Sequence, residues 1–257
     1  MPVTLMNDSN LVIRELLALL THELVEGGAR AVVLMGSYAR GDAADHSDID
    51  LTVVGDGAPS ISLRNGIMVV IGWSKAETLR ADFTEPLRAG AAIPGWWRAI
   101  ILNDPDGVAA QLQDVSQRWT WNDVGQATCD AAVAREMAGL AEEVHKLVNG
   151  LNQHRQTMAA VQRNILVLRM AGIMALHHRM LYESENRLWD EVAACVGGSW
   201  AAAQARAMGL HGEPFAETCA AALELYALSA RDVLPLLDSE QRAVVTHACR
   251  IAGHSLE

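Results

Sequence analysis

Two aspartates one residue apart, in the run Ser47-Asp48-Ile49-Asp50-Leu51, carry the densest chemistry in this chain. The apolar residues from Ile49 to Val54 read as a β-strand, and alternate strand residues point to the same face. Asp48 and Asp50 therefore project side by side, with Ile49 turned away. Two carboxylates held that close repel each other and cost free energy unless a cation sits between them. Hard oxygen donors of this kind suit Mg²⁺, which keeps waters and takes its remaining ligands from substrate phosphates. Asp50 also breaks a local rule, since Asp is disfavoured inside a strand, and such breaks are expected where function resides.

Just upstream, the apolar run Ala31 to Met35 predicts a first strand that ends at Gly36-Ser37. A glycine there lets the backbone approach a ligand closely, so Gly36 and Ser37 can bring N–H groups and a hydroxyl against phosphates. A short helical turn within Tyr38 to Asp45 would point its N-terminus at them. Arg40 is a candidate phosphate contact, and Ser47 completes the nucleotide-binding set of Gly36, Ser37, Arg40 and Ser47. Asp42 and Asp45 fall in the exposed loop, off the strand face that Asp48 and Asp50 share. The implied chemistry is metal-assisted nucleotide transfer, with Asp48 and Asp50 as both catalytic and metal-binding residues of a two-metal Mg²⁺ site.

The pattern Gly36-Ser37-x-x-x-Gly41 followed by Ser47-Asp48-x-Asp50-Leu51 resembles the signature of the nucleotidyltransferase superfamily. That superfamily includes DNA polymerase beta, the minimal nucleotidyltransferases and the aminoglycoside nucleotidyltransferases. Ala99 to Gly107 further resembles the strand and Asp-x-x-Gly turn after the core of the antibiotic nucleotidyltransferases, and the kanamycin-type enzymes are the most similar in layout. The resemblance implies transfer of a nucleoside monophosphate, AMP from ATP or another NTP, to a hydroxyl of a small, aminoglycoside-like molecule held between two domains. It also implies a third Asp or Glu on a neighbouring strand.

Here the chain departs from the pattern. From Gly57 to Lys75 there is no carboxylate, and the expected position falls near Ile67, Met68 or Val69. Three readings stay open. Asp104, Asp82 or a Glu or His of the helical half supplies the base; the acceptor needs little help, a base contributing about 10²–10⁴ in rate; or the protein binds and senses nucleotide without turning it over. AMP transfer to a partner protein is a further alternative, against which the dedicated helical half argues mildly.

The elements that must position these residues give an α+β fold: a small mixed sheet with flanking helices over 1–118, then an all-α helical bundle over 119–257. Asp8 or Ser9 is expected to cap a helix to about Glu26, with Leu11, Ile13, Leu16, Leu17, Leu20 and Leu24 inward. A hairpin is expected around Arg64-Asn65-Gly66, and a capping box at Ser74 and Glu77 should start a helix toward Leu87. Trp96 to Leu102 reads as a strand, followed by a helix capped by Asp106 and running through Val115. Beyond Trp121 strand signals vanish. Helices are expected from Asn122 to about Asn149 and from about Arg155 to Tyr182, the latter with Met158, Val161, Ile165, Leu168 and Ala175 inward. Shorter ones should span Arg187–Val196, Ser199–Met208, Pro214–Leu236 and Ser239–Ala252.

Net charge is −11 with only two lysines, which argues against a grip on a nucleic-acid backbone and for a cationic small acceptor. Cys129, Cys195, Cys219 and Cys249 are widely spaced and read as buried apolar residues in a reducing compartment. No signal peptide is evident, and the apolar run Ile165 to Leu176 is broken by Arg169 and too short for a bilayer. A cytoplasmic protein with no membrane partner is predicted, and a homodimer is compatible with the sequence. Lys146 matches in rough position a phosphate-holding lysine of kanamycin-type enzymes, but an ordinary solvated helix residue is the simpler reading. Adjacent His177 and His178 diverge by about 100° on a helix and are not expected to chelate one ion together. Trp96-Trp97 and Trp119/Trp121 read as packing residues.

Overall fold

The computed structural model describes residues 8–256. The chain divides into two compact units, the first ending at Thr120 and the second beginning at Trp121.

In the first unit, helix α1 (Asp8–Glu26) precedes strand β1 (Ala31–Met35), the short helix α2 (Gly36–Arg40) and strand β2 (Ile49–Val54). Strands β3 (Ser60–Arg64) and β4 (Ile67–Ser74) follow, then α3 (Ala76–Ala81), α4 (Pro86–Arg98), β5 (Ile100–Asn103) and α5 (Val108–Arg118). The strands form one mixed sheet in the order β3-β4-β2-β1-β5. Only β2 and β4 pair in parallel; the other neighbours are antiparallel. On one face Val32, Leu34, Ile49, Leu51, Val53, Val69 and Ile71 pack with Leu16, Leu20 and Leu24 of α1. Leu11, expected inward, is 52% exposed. The cap expected from Asp8 or Ser9 falls on side chains outside the described residues.

The sheet's opposite face holds the row Met35, Asp50, Val70, Ile61, aligned across β1, β2, β4 and β3. Helix α4 approaches this side, since a Cβ on its Gly95 would lie 3.5 Å from Met35 Cε. The β3–β4 hairpin turns through Asn65 and Gly66, both left-handed (φ 52 and 80), which is the two-residue turn expected of Asn-Gly.

Three local expectations fail here. Ser74 does not cap a helix: it ends β4 opposite Val54, accepts from Gly55 N–H, and α3 starts after Lys75 without a side-chain cap. Trp96 and Trp97 lie in α4, and the strand begins only at Ile100. An unbroken apolar run hides this boundary, whereas packing fixes it: Trp96 meets Phe83 edge-on at 6.4 Å and Trp97 Nε1 donates to Ser116 O at 2.7 Å. Gly107, not Asp106, is the N-cap of α5, and Asp104 Oδ2 accepts from Ala110 N–H at 2.9 Å. Asp106 instead faces Arg30 at 3.5 Å.

The second unit contains α6 (Gln126–Asn152), α7 (Gln156–His177), α8 (Glu185–Val196), α9 (Gly198–Met208), α10 (Phe215–Val233) and α11 (Ser239–Ile251). Asn122 does not cap α6; it sits in a short 3₁₀ turn, and Gly125 (φ 90) precedes the helix. Met137, Leu140 and Leu147 of α6 and Leu166, Met170 and Met174 of α7 are fully buried, as is Tyr226 of α10, whose hydroxyl donates to Met137 O at 3.2 Å. Val161 and Leu168 are exposed, at 48% and 59%, rather than inward. An apolar helix such as α7 has residues of similar character on several faces, so its buried stripe is easily misread.

Helix α7 is long and apolar enough to cross a membrane by length and composition, but half of the relevant window is buried and it packs against α6 and α10. It ends at His177 rather than Tyr182 because Arg179 turns left-handed (φ 53) and Met180 N–H closes on Ala175 O. Three cysteines are buried as expected, whereas Cys195 on α8 is exposed.

Candidate active site

The turn from β1 into α2 is built on Gly36, whose φ of +66 favours glycine. A Cβ at this position would collide with Asp50 Oδ2 and lie 3.1 Å from Asp50 Cγ. The Asp50 carboxylate therefore rests directly on the Gly36 backbone, and glycine is needed both for its conformation and for its lack of a side chain. Asp48 lies just before β2 rather than inside it, half-buried like Asp50.

Electrostatics tie these residues together. Burial, and then the neighbouring Asp48 charge, raise the Asp50 pKa above its ordinary value, while the Arg40 guanidinium pulls it down. Asp48, Asp50 and Arg40 thus interact around one turn, and the ionised Asp50 carries a cost, offset in part by Arg40, of the kind a cation removes.

Helix α2 starts at Gly36, earlier than the Tyr38–Asp45 span expected, so Ser37 lies in its first turn. The first N–H groups of a helix have no intrahelical acceptor, and no side chain caps this one. Gly41 (φ 82) ends it, with Gly41 and Asp42 N–H groups both donating to Ser37 O. Arg40 Nε donates to Asp42 Oδ1 at 3.2 Å. Ser47 Oγ accepts from Ala44 N–H at 2.9 Å, so this hydroxyl closes the loop that delivers Asp48. Asp45 is exposed, as expected.

No carboxylate joins the pair from β4. The parallel register sets Val70 beside Asp50 and carries Met68 to the level of Asp48, so both residues on this face are apolar. Asp104 is too distant to serve: Val32 pairs with Asn103 while Met35 pairs with Asp50, which separates them by three residues of β1, roughly 10 Å. Asp82 is ion-paired with Arg88 at 2.7 Å. Lys146 is held by Glu142 and Glu143 of its own helix, at 2.9 and 3.3 Å.

Two neighbouring features were not legible in the sequence. A groove of about 570 Å³ opens beside the turn, lined by Val12, Ile13, Tyr38, Gly41, Asp45 and Ile67. On Asp50's own face, Ile61, Leu63 and Met68 form an apolar surface exposed at 72%, 73% and 45%. Sequence periodicity alone does not say which side of an edge hairpin lacks a cover.

Residues 21–89 match the family model of the nucleotidyltransferase domain. The span takes in β1 to β4, α2 and all six site candidates, Gly36, Ser37, Arg40, Ser47, Asp48 and Asp50. The first unit has the nucleotidyltransferase fold, a small mixed sheet with helices, and the second is helical. The general chemistry of such a domain is nucleotidyl transfer. A nucleotidyltransferase-like protein from Exiguobacterium sibiricum is similar in structure, with 12% identity over 86% of this chain and 73% of that one and a TM-score of 0.47. No curated protein matches the sequence.

Proposed function

We propose that this nucleotidyltransferase domain moves a nucleoside monophosphate, with AMP from ATP as the leading case, onto a hydroxyl of a small molecule, using Mg²⁺ held by Asp48 and Asp50. The observation that carries this reading is the Asp50 carboxylate, packed over Gly36 with its ionised form opposed by burial and by Asp48. Paired carboxylates suit Mg²⁺, which favours oxygen donors and shares its shell with water and phosphate. Bound there, Mg²⁺ would neutralise triphosphate charge and polarise the α-phosphate.

The chain's own residues supply the rest. N–H groups at the start of α2, where no side chain caps the helix, orient the outer phosphates around Gly36 and Ser37, and Arg40 adds positive charge on the same side. Attack of the acceptor hydroxyl oxygen on the α-phosphorus forms the new P–O bond as the bond to pyrophosphate breaks, and the hydroxyl proton passes to solvent water. The net charge of −11 favours a cationic acceptor, as the likeness to aminoglycoside enzymes also implies.

A second reading has its own support. The apolar face of Ile61, Leu63 and Met68 beside Asp50 suits a protein acceptor. Of the positions where a third carboxylate is expected, Ile67, Met68 and Val69, none is acidic, and Met68 and Val70, on the face of Asp50, are apolar, which suits nucleotide binding without turnover.

Incubation with Mg²⁺ and NTPs labelled at the α-phosphate, together with a mixture of aminoglycosides and a cell protein extract, separates the readings. Label in the small-molecule fraction supports the proposal, and label in a protein band supports the second reading. Label retained in all four NTPs removes transfer and leaves binding alone.

A further inference from the structure

At the C-terminal end of α7, His177 and His178 meet Asp232 of α10. Their potential ligand atoms all lie within 4.8 Å of one another. Asp232 Oδ2 is 3.5 Å from His177 Nε2 and 3.1 Å from His178 Nε2. Donors of a tetrahedral ion with bonds of about 2.0–2.1 Å sit about 3.3 Å apart, so these two edges already approach that spacing. The expectation that adjacent histidines diverge too far does not hold. His177 is the last residue of α7, His178 is its C-cap, and the two rings meet edge-on with centroids 4.8 Å apart.

A second observation concerns unmet hydrogen bonds. His178 Nε2 lies beside Asp232 without aligning as a hydrogen bond, and it is buried without a hydrogen-bond partner. Buried ring nitrogens normally find a donor or acceptor, and a metal ion satisfies the same lone pair. The neighbouring cations are engaged elsewhere: Arg179 binds Asp130 at 2.6 Å, and Arg231 donates to Ser255 O at 2.9 Å. The carboxylate therefore faces the two imidazoles rather than either of these arginines.

We infer that His177, His178 and Asp232 form a binding site for Zn²⁺, or a similar late first-row divalent ion, with a fourth position left to water. Two nitrogens and one oxygen favour such an ion over Mg²⁺, so the site is chemically distinct from the Asp48/Asp50 pair. It does not depend on the nucleotidyltransferase reading.

The test is a competition titration of Zn²⁺ alone against a chromophoric chelator. It uses the full chain as wild type, His178→Gln, Asp232→Asn, His247→Ala and Asp48→Asn/Asp50→Asn, each checked for folding by circular dichroism. One equivalent should bind to wild type and to the Asp48/Asp50 variant. His178→Gln and Asp232→Asn should each weaken binding by at least about tenfold, in line with loss of a ligand. Co²⁺ in place of Zn²⁺ should give a visible spectrum of low coordination number that both variants lose. No stoichiometric binding to wild type, or binding unchanged in the folded His178→Gln and Asp232→Asn proteins, would overturn the inference. Loss on His247→Ala instead would overturn it equally, by assigning the ion to the stacked His145–His247 pair.

Discussion

Gly36 and Asp50 are placed so that no methyl group can be added to the first without displacing the carboxylate of the second. One belongs to the turn after β1 and the other to the start of β2, opposite Met35. The contact fixes the carboxylate beside the turn that leads from β1 into α2.

Gly36→Ala should therefore do two things. Forcing a Cβ into a left-handed position and against Asp50 should cost about 1–3 kcal/mol, read from chemical denaturation. Mg²⁺-dependent nucleotide affinity should fall at least about tenfold, equivalent to about 1.4 kcal/mol. A stable variant with intact affinity would show that the contact is incidental.

The Asp50 titration gives a pH signature. Its native pKa is raised above the ordinary 3.8. Native protein then holds this proton to higher pH than unfolded chain does, so Asp50's contribution to stability falls as pH rises through that interval. Asp50→Asn should lack this fall and gain in melting temperature relative to wild type as pH climbs from about 4. Saturating Mg²⁺ should narrow the difference by stabilising wild type alone. Parallel melting curves for both proteins at every pH, with or without Mg²⁺, would contradict the electrostatic account.

Much of this was legible in the sequence, and the reasons differ by element. The limits of β1 and β2 follow from apolar runs bounded by Gly36 and by the Asp pair, and the hairpin follows from Asn65-Gly66, because turn chemistry is local. Tertiary contacts decided the rest. Ser74 stayed in β4 because Val54 pairs with it, and Trp96 stayed in a helix because Phe83 packs on it. The Gly36–Asp50 contact joins residues fourteen positions apart, and Asp232 meets His177 from another helix. Neither spacing has a local signature.

The apolar β4 face suggests a gain-of-function test. Met68 lies exposed at the level of Asp48, so Met68→Asp would place a third carboxylate on that face at small cost to folding. Mg²⁺ affinity should rise by several-fold, about 1 kcal/mol, with a small loss of stability in the metal-free protein. Unchanged Mg²⁺ affinity would place the metal away from this strand.

In the helical unit, Tyr226→Phe tests the core hydrogen bond to Met137 O. Burial pushes this phenol's pKa far up, so the hydroxyl remains a donor across the working range. Its loss should cost about 0.5–1.5 kcal/mol without changing nucleotide binding. A larger loss would mean that the ring repacks as well.

The most direct measurement is calorimetric titration of ATP into the protein with and without Mg²⁺, beside the Asp48→Asn/Asp50→Asn variant. Binding should depend on Mg²⁺ and be lost in the variant. No binding to wild type at millimolar ATP, or binding that persists in the variant, would contradict the proposal.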